Sequence, residues 1–195
     1  MKIIGIAGRA RAGKNTTGEI LKRTLDHSAE YRPYLFAFAD AVKLTAQQMF
    51  ALTDDETWKD CMKEKVHPYW GITMREMFQK VGTEGGRDIF GDNLWVDRLR
   101  LRLAQLEETV DENDKENIFI ITDVRFPNEV DFIHMEGGTV WWIDREDDSL
   151  SESSQAHSSE NAISVLDGNL VIPNDDTIDT LAKEVTHALK TYVLD

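Results

Sequence analysis

Ile3-Ile4-Gly5-Ile6-Ala7-Gly8-Arg9-Ala10-Arg11-Ala12-Gly13-Lys14-Asn15-Thr16 is the stretch around which the rest of the chain can be arranged. Residues 3–7 are a short apolar run closed by a glycine-rich turn, the pattern of a strand buried on both faces of a parallel sheet. A helix is expected to start near Lys14 and to carry Ile20, Leu21 and Leu25. A strand that leads through two glycines and a lysine into a helix is the setting a phosphate-binding loop needs. The glycines let backbone N–H groups turn inward around phosphate oxygens, and the helix N-terminus adds positive potential. Lys14 is placed to reach the β- and γ-phosphates of a nucleotide. The residue after the lysine, usually Ser or Thr, is Asn15 here, with Thr16 one place later, so the metal-side hydroxyl is open to question. The bland alternative is a glycine-rich turn and nothing more.

Working outward, strands are expected at 34–39, 118–122, 139–143 and 170–172, each a short apolar run. Asp40 could cap a helix holding Val42, Leu44, Met49 and Phe50. Thr73 and Glu76 have capping-box spacing, and Met74, Met77, Phe78 and Val81 then make one apolar stripe while Arg75, Gln79 and Gly82 share another. A further helix begins near Asn93, with Trp95, Leu99, Leu103 and Leu106 inward. Strands alternating with helices imply parallel pairing through right-handed crossovers, hence a doubly wound α/β sheet. Residues 107–116 hold six carboxylates against one lysine and read as a solvated surface loop. Residues 145–160, rich in Ser, Asp and Glu, read as a mobile loop.

At 195 residues and 41% hydrophobic content, one domain with one core is the default. A formal charge of -14 repels polyanions, which disfavours DNA binding but not capture of a small anion in a cleft of converging cations. The single cysteine, Cys61, allows no internal disulfide and fits a reducing compartment. The apolar N-terminus is too short for a secretory leader and no stretch has membrane-spanning length, so a soluble cytoplasmic protein is expected.

The run Ile118-Phe119-Ile120-Ile121-Thr122-Asp123-Val124-Arg125-Phe126-Pro127-Asn128-Glu129 delivers an acid at the carboxyl end of a buried strand, where open α/β sheets bind ligands. If that strand pairs beside the first, Asp123 neighbours the phosphate loop and can hold Mg²⁺ or orient its water shell. Arg125, two residues on, could bind a phosphate; the other reading is an Asp–Arg surface pair. Arg75, Gln79 and Arg87 flank Gly82-Thr83-Glu84-Gly85-Gly86. Arginines suit a monophosphate and the glutamine amide suits a base edge or ribose, whereas the alternative is a solvated helix face ending in a flexible turn. Arg145 is the cation a lid would bring over phosphates, with His157 an orienting or capping residue rather than a base. Trp141 and Trp142 read as strand core; Trp95 reads as core that could also border a nucleobase.

These residues together form a pattern over nearly the whole chain. It comprises Gly13-Lys14-Asn15-Thr16, Phe38-Ala39-Asp40-Ala41-Val42-Lys43, Arg75-Glu76, Gln79, Gly82-Thr83-Glu84, Arg87, Gly91, Asn93 and Trp95. It continues with Asp123-Val124-Arg125-Phe126, Asn128-Glu129, Gly137-Gly138, Arg145, His157 and Ser159-Glu160. It resembles the phage deoxynucleoside monophosphate kinases. The resemblance implies a single three-layer P-loop nucleoside-triphosphate hydrolase domain over 1–195, with a central five-stranded parallel sheet. It also implies a helical acceptor-binding insertion at about 40–110 and a short lid at about 145–160. ATP would bind through Gly8, Arg11, Ala12, Gly13, Lys14, Asn15 and Thr16. The deoxynucleotide would meet Asp40, Lys43, Arg75, Gln79, Arg87, Trp95, Asp123, Arg125 and Glu129. Lys14, Asp123, Arg125 and Arg145 would be catalytic, and Thr16 and Asp123 would hold Mg²⁺ partly through water. The family's place is deoxynucleotide metabolism in the host cytoplasm; a homodimer is left open.

The expected reaction is transfer of the ATP γ-phosphate to a deoxynucleoside monophosphate. Two alternatives stand beside it: a P-loop kinase of another small acceptor, such as dephospho-coenzyme A or a nucleoside, and a nucleotide-sensing ATPase that transfers nothing.

Overall fold

The computed structural model describes residues 1–108, 115–145 and 163–194. In chain order its elements are β1 (Lys2–Gly8), α1 (Lys14–Asp26), β2 (Tyr31–Phe36), α2 (Phe38–Phe50), α3 (Asp54–Trp58) and a 3₁₀ turn at Asp60–Met62. Then come α4 (Met74–Gln79), a π-helical stretch at Lys80–Arg87, α5 (Asp88–Phe90), α6 (Leu94–Glu107), β3 (Glu116–Ile121), α7 (Pro127–Met135) and β4 (Thr139–Asp144). A 3₁₀ turn at Val165–Asp167, β5 (Leu170–Pro173) and α8 (Ile178–Leu189) complete the fold, α8 running into a π turn at Lys190–Leu194. Two compact units result, one of Met1–Ala37 with Gln105–Asp195 and one of Phe38–Ala104.

The first unit is built on a five-stranded sheet in the order β2-β3-β1-β4-β5, parallel throughout. β1 sits between β3 and β4, so chain direction across the sheet switches at β1 and the loops after β1 and β3 open on one crevice. On one face α1 and α8 press Leu21, Leu25, Leu181, Val185 and Leu189 onto Ile4, Ile6, Ile118, Ile120, Trp141 and Ile143. On the other, Ile133 of α7 packs over Gly5, where a side chain would collide with it. These three layers are those of a P-loop kinase fold. Truncating one such side chain, Leu21→Ala for example, would cost about 2–5 kcal/mol, much of the ~5–15 kcal/mol a domain holds.

One boundary differs from expectation. The second strand runs Tyr31–Phe36 rather than 34–39, and α2 starts at Phe38, which puts Asp40 in its first turn rather than at its cap. Pairing decides this: Tyr31 lies opposite Glu116 and the ladder ends where Phe36 O accepts from Thr122 N at 2.9 Å. Pro33 fits because β2 is an edge strand, where a missing N–H is tolerated. Of the expected 107–116 loop, Glu107 closes α6 and Glu116 opens β3, while 109–114 lie outside the described residues. No helix among the described residues is long and apolar enough to cross a membrane.

The second unit is helical. Both α3 and α4 begin with capping boxes, Thr53 with Glu56 and Thr73 with Glu76. Glu76 accepts from the Thr73 N–H at 2.8 Å, and this bond, then the one from the Thr73 hydroxyl, holds its carboxyl below the ordinary value of 4.5. A depressed carboxyl contributes stability above its unfolded value and loses it as pH falls through its folded one. Glu76→Gln keeps a cap but no charge, so the variant should be less stable at neutral pH. The gap to the native protein should close as pH is lowered below 4.5. Urea melts at stepped pH check this, and a pH-independent gap would refute it.

After α4 the glycine-rich stretch is not a flexible turn but the π-helix Lys80–Arg87. Trp95 explains how it is held: its indole N–H donates to Gly82 O at 2.8 Å. A Cβ at Gly86 would lie 2.7 Å from the Trp95 ring, so only glycine permits this approach. Val42, Ala46, Val81 and Trp95 form one buried cluster of this unit.

Candidate active site

In the first unit the loop after β1 has the backbone that its sequence demands. Gly8 and Gly13 have φ of 142° and 100°. A Cβ at Gly8 would lie 2.5 Å from Ile143 O, and one at Gly13 2.5 Å from Asn174 Nδ2. Arg11 takes a left-handed φ of 61°, which tightens the turn at a cost a non-glycine rarely bears. Lys14 Nζ donates to Gly8 O and Arg9 O, both at 2.7 Å, so the ammonium is folded back across the loop. Asn15 is exposed, Thr16 half-buried and Thr17 fully buried. Of the two candidates after the lysine, Thr16 is thus the one with a hydroxyl at the helix start.

β3 pairs directly with β1, Gly5 lying opposite Ile121, so the chain that carries Asp123 leaves the sheet beside the strand leading into the phosphate loop. Thr122 N donates to Phe36 O at 2.9 Å and Val124 N to Ile6 O at 3.2 Å, tying the chain on either side of Asp123 to both neighbouring strands. Asp123 and Arg125 are half-buried. Glu129, only 2% exposed, accepts from Arg125 N at 2.7 Å and Phe126 N at 3.1 Å through Oε2. One of its oxygens is therefore committed to the loop that carries Arg125. Arg145 follows β4 directly and is exposed; His157, Ser159, Glu160 and the rest of 146–162 lie outside the described residues.

Asn174, which the sequence reading passed over, is buried at the end of β5. Its Nδ2 donates to Ala12 O at 2.8 Å and its backbone N–H to Asp144 O at 2.7 Å. The available signal was its place just past a strand's carboxyl end, the ligand side of such sheets.

In the second unit Asp40 and Lys43 sit on α2, Arg75 and Gln79 one turn apart on α4, Arg87 at the end of the π-helix and Trp95 at the start of α6. Two of these converge. Lys63 pairs with Asp60 at 2.6 Å, and that bond, with the fields of Lys43 and Arg75 behind it, holds the Asp60 carboxyl below its usual range. Arg75 also pairs with Glu64 at 2.5 Å, and its backbone N–H donates to Lys63 O at 3.0 Å. Lys43 stands 5.0 Å over the Trp58 ring. Lys63 is thus bonded to Asp60 while the charges of Lys43 and Arg75 also act on that carboxylate, and Lys63 is the member that sequence reasoning missed. Trp95 lines a cavity of about 590 Å³ with Phe50, Val81, Phe90 and the Lys80–Glu84 pair, so it is both core and cavity wall.

Among the described residues no three His, Cys, Asp or Glu side chains cluster as a metal cage. Mg²⁺ keeps its waters and binds through one or two protein oxygens plus substrate phosphates. Thr16, in the first turn of α1, and Asp123, just past the end of β3, are the residues that would have to supply those oxygens.

A deoxynucleotide monophosphate kinase from Acanthamoeba polyphaga mimivirus, itself described as putative, is 29% identical over 95% of this chain and 94% of its own length. The deoxynucleotide monophosphate kinase of Enterobacteria phage T4 is 26% identical over 64% of this chain and 48% of that protein. Among solved structures, dephospho-CoA kinase from Campylobacter jejuni aligns over 97% of this chain and 96% of its own, with a TM-score of 0.46 at 15% identity. The family model for deoxynucleotide monophosphate kinase matches residues 36–185, and the chain belongs to that family.

Proposed function

We propose that the chain transfers the γ-phosphate of ATP to a deoxynucleoside 5′-monophosphate, yielding ADP and the diphosphate. The observation that supports this is the pairing of β3 beside β1, by which the chain that carries Asp123 and Arg125 leaves the sheet beside the strand leading into the loop of Gly8, Gly13 and Lys14, in a chain of this family.

Phosphoryl transfer asks little covalent chemistry of a protein and much positioning and charge neutralisation. The N–H groups of residues 8–16 would cradle the ATP phosphates, and Lys14 would leave the Gly8 and Arg9 carbonyls to take β- and γ-oxygens. Arg125 would hold the acceptor phosphate, and Arg145, from the lid segment, would add a cation over the transferring group. Mg²⁺, held by Thr16 and Asp123 partly through water, would supply charge neutralisation on the phosphates. Lys43, Lys63 and Arg75 would bind the acceptor anion, Asp60 and Glu64 serving as their counter-charges without it. Gln79, Arg87, Asp40 and Trp95 would contact the rest of the deoxynucleotide, making the helical unit the acceptor-binding insertion.

The test is a panel of deoxy- and ribonucleoside monophosphates, dephospho-coenzyme A and nucleosides incubated with labelled ATP and Mg²⁺. Label is expected on deoxynucleoside diphosphates. Label on dephospho-coenzyme A or a nucleoside alone, or ATP hydrolysis that no monophosphate changes, would overturn the reading.

A further inference from the structure

The carboxamide of Asn174 reaches across 162 positions of sequence to one carbonyl of the phosphate loop, Ala12 O, at 2.8 Å. Among the described residues every peptide bond is trans. In a trans peptide the C=O and the following N–H point in opposite directions. A carbonyl of Ala12 drawn onto Asn174 therefore turns the N–H of Gly13 the other way. We propose that Asn174 is a positioning residue for the nucleotide: its side-chain N–H fixes the Ala12–Gly13 peptide so that the Gly13 N–H faces the ATP phosphates.

Three features fit this role. Asn174 is 8% exposed, so its amide is held by packing rather than shared with water. A Cβ on Gly13 would stand 2.5 Å from Nδ2, so the glycine that shapes the loop also admits the asparagine. Finally, Asn174 N donates to Asp144 O at 2.7 Å, and Arg145 is the next residue. The same asparagine thus links the phosphate loop to the root of the segment bearing the proposed lid cation.

The inference rests on residues 8–16 being an ATP site, and the test separates the two. ATP-Mg²⁺ binding is measured by calorimetry at about pH 8 and about pH 5.5 for the native protein, Asn174→Asp and Asn174→Ala, with thermal melts for folding. The carboxylate that Asn174→Asp introduces sets an acceptor against an acceptor when ionised, while its protonated form can donate again; burial raises its pKa from about 3.9 toward the tested range. Asn174→Asp should bind ATP about tenfold or more weakly at the higher pH. Its ratio to the native protein should narrow at the lower one. Asn174→Ala, which adds no charge, should bind more weakly than native at both pH values without that recovery. In turnover, both variants should raise the KM for ATP more than that for the acceptor. Native affinity in both variants, or an Asn174→Asp deficit that ignores pH, overturns the role of the N–H. A native protein that does not bind ATP overturns the ATP site itself.

Discussion

A Lys14→Ala protein is expected to fold normally and to lose about a thousandfold in kcat, about 4 kcal/mol of transition-state stabilisation. In the structure its ammonium donates to Gly8 O and Arg9 O at 2.7 Å. Both carbonyls lie at or near the surface, so the loss of these bonds costs stability on the order of 1 kcal/mol. The same ammonium is the cation that the loop motif assigns to the β- and γ-oxygens, where charge grows as the phosphoryl group leaves. An interaction that strengthens in the transition state lowers kcat when removed, and raises KM for ATP less. Circular dichroism melts within a few degrees of native, combined with steady-state rates, check this. A folded Lys14→Ala protein with native turnover would remove the phosphate-loop assignment.

Legibility in the sequence followed the range of the interaction. β1 and its loop could be read because a buried strand, two glycines and a lysine announce themselves within about a dozen residues, and the glycine φ values are local. The capping box at Thr73 and Glu76 was readable for the same reason. β2 lies three residues earlier than its apolar run suggests because its start is set by pairing with Glu116, far away in sequence. The π-helix was missed because its glycines look like a turn until Trp95 donates to Gly82 and packs on Gly86. Asn174 resembled any polar residue at a strand end, since its partner Ala12 lies in another part of the chain. Lys63 stands in Lys59-Asp60-Cys61-Met62-Lys63-Glu64-Lys65, where no local pattern singles out one cation. Only the fold shows it beside Asp60 with Arg75 bonded to its carbonyl. The resemblance names Glu129 as a substrate contact, and the fold adds that its Oε2 accepts from the backbone N–H groups of Arg125 and Phe126. Those two bonds join residues three and four positions apart, yet no sequence pattern announces which oxygen makes them.

The guanidinium of Arg125 should matter nearly as much as Lys14, and in a different kinetic term. The backbone around it is anchored by other groups: Arg125 N is held by Glu129 at 2.7 Å, and Val124 N by Ile6 O at 3.2 Å. Arg125→Ala should therefore leave the loop in place and report the loss of the guanidinium. If that group holds the acceptor phosphate, kcat/KM for the deoxynucleoside monophosphate should fall about 10²–10³-fold, with KM for ATP moving by a few fold at most. Arg125→Lys should recover only part of the loss, because a point charge cannot reproduce a fork that grips two phosphate oxygens at once. Loss confined to KM for the acceptor would make Arg125 a uniform binder; loss in kcat as well would place its grip in the transition state. Steady-state rates with each substrate varied in turn decide between them. An Arg125→Ala protein whose acceptor kinetics stay within twofold of native would instead make Arg125 a surface cation, leaving Lys43, Lys63 and Arg75 to bind the acceptor.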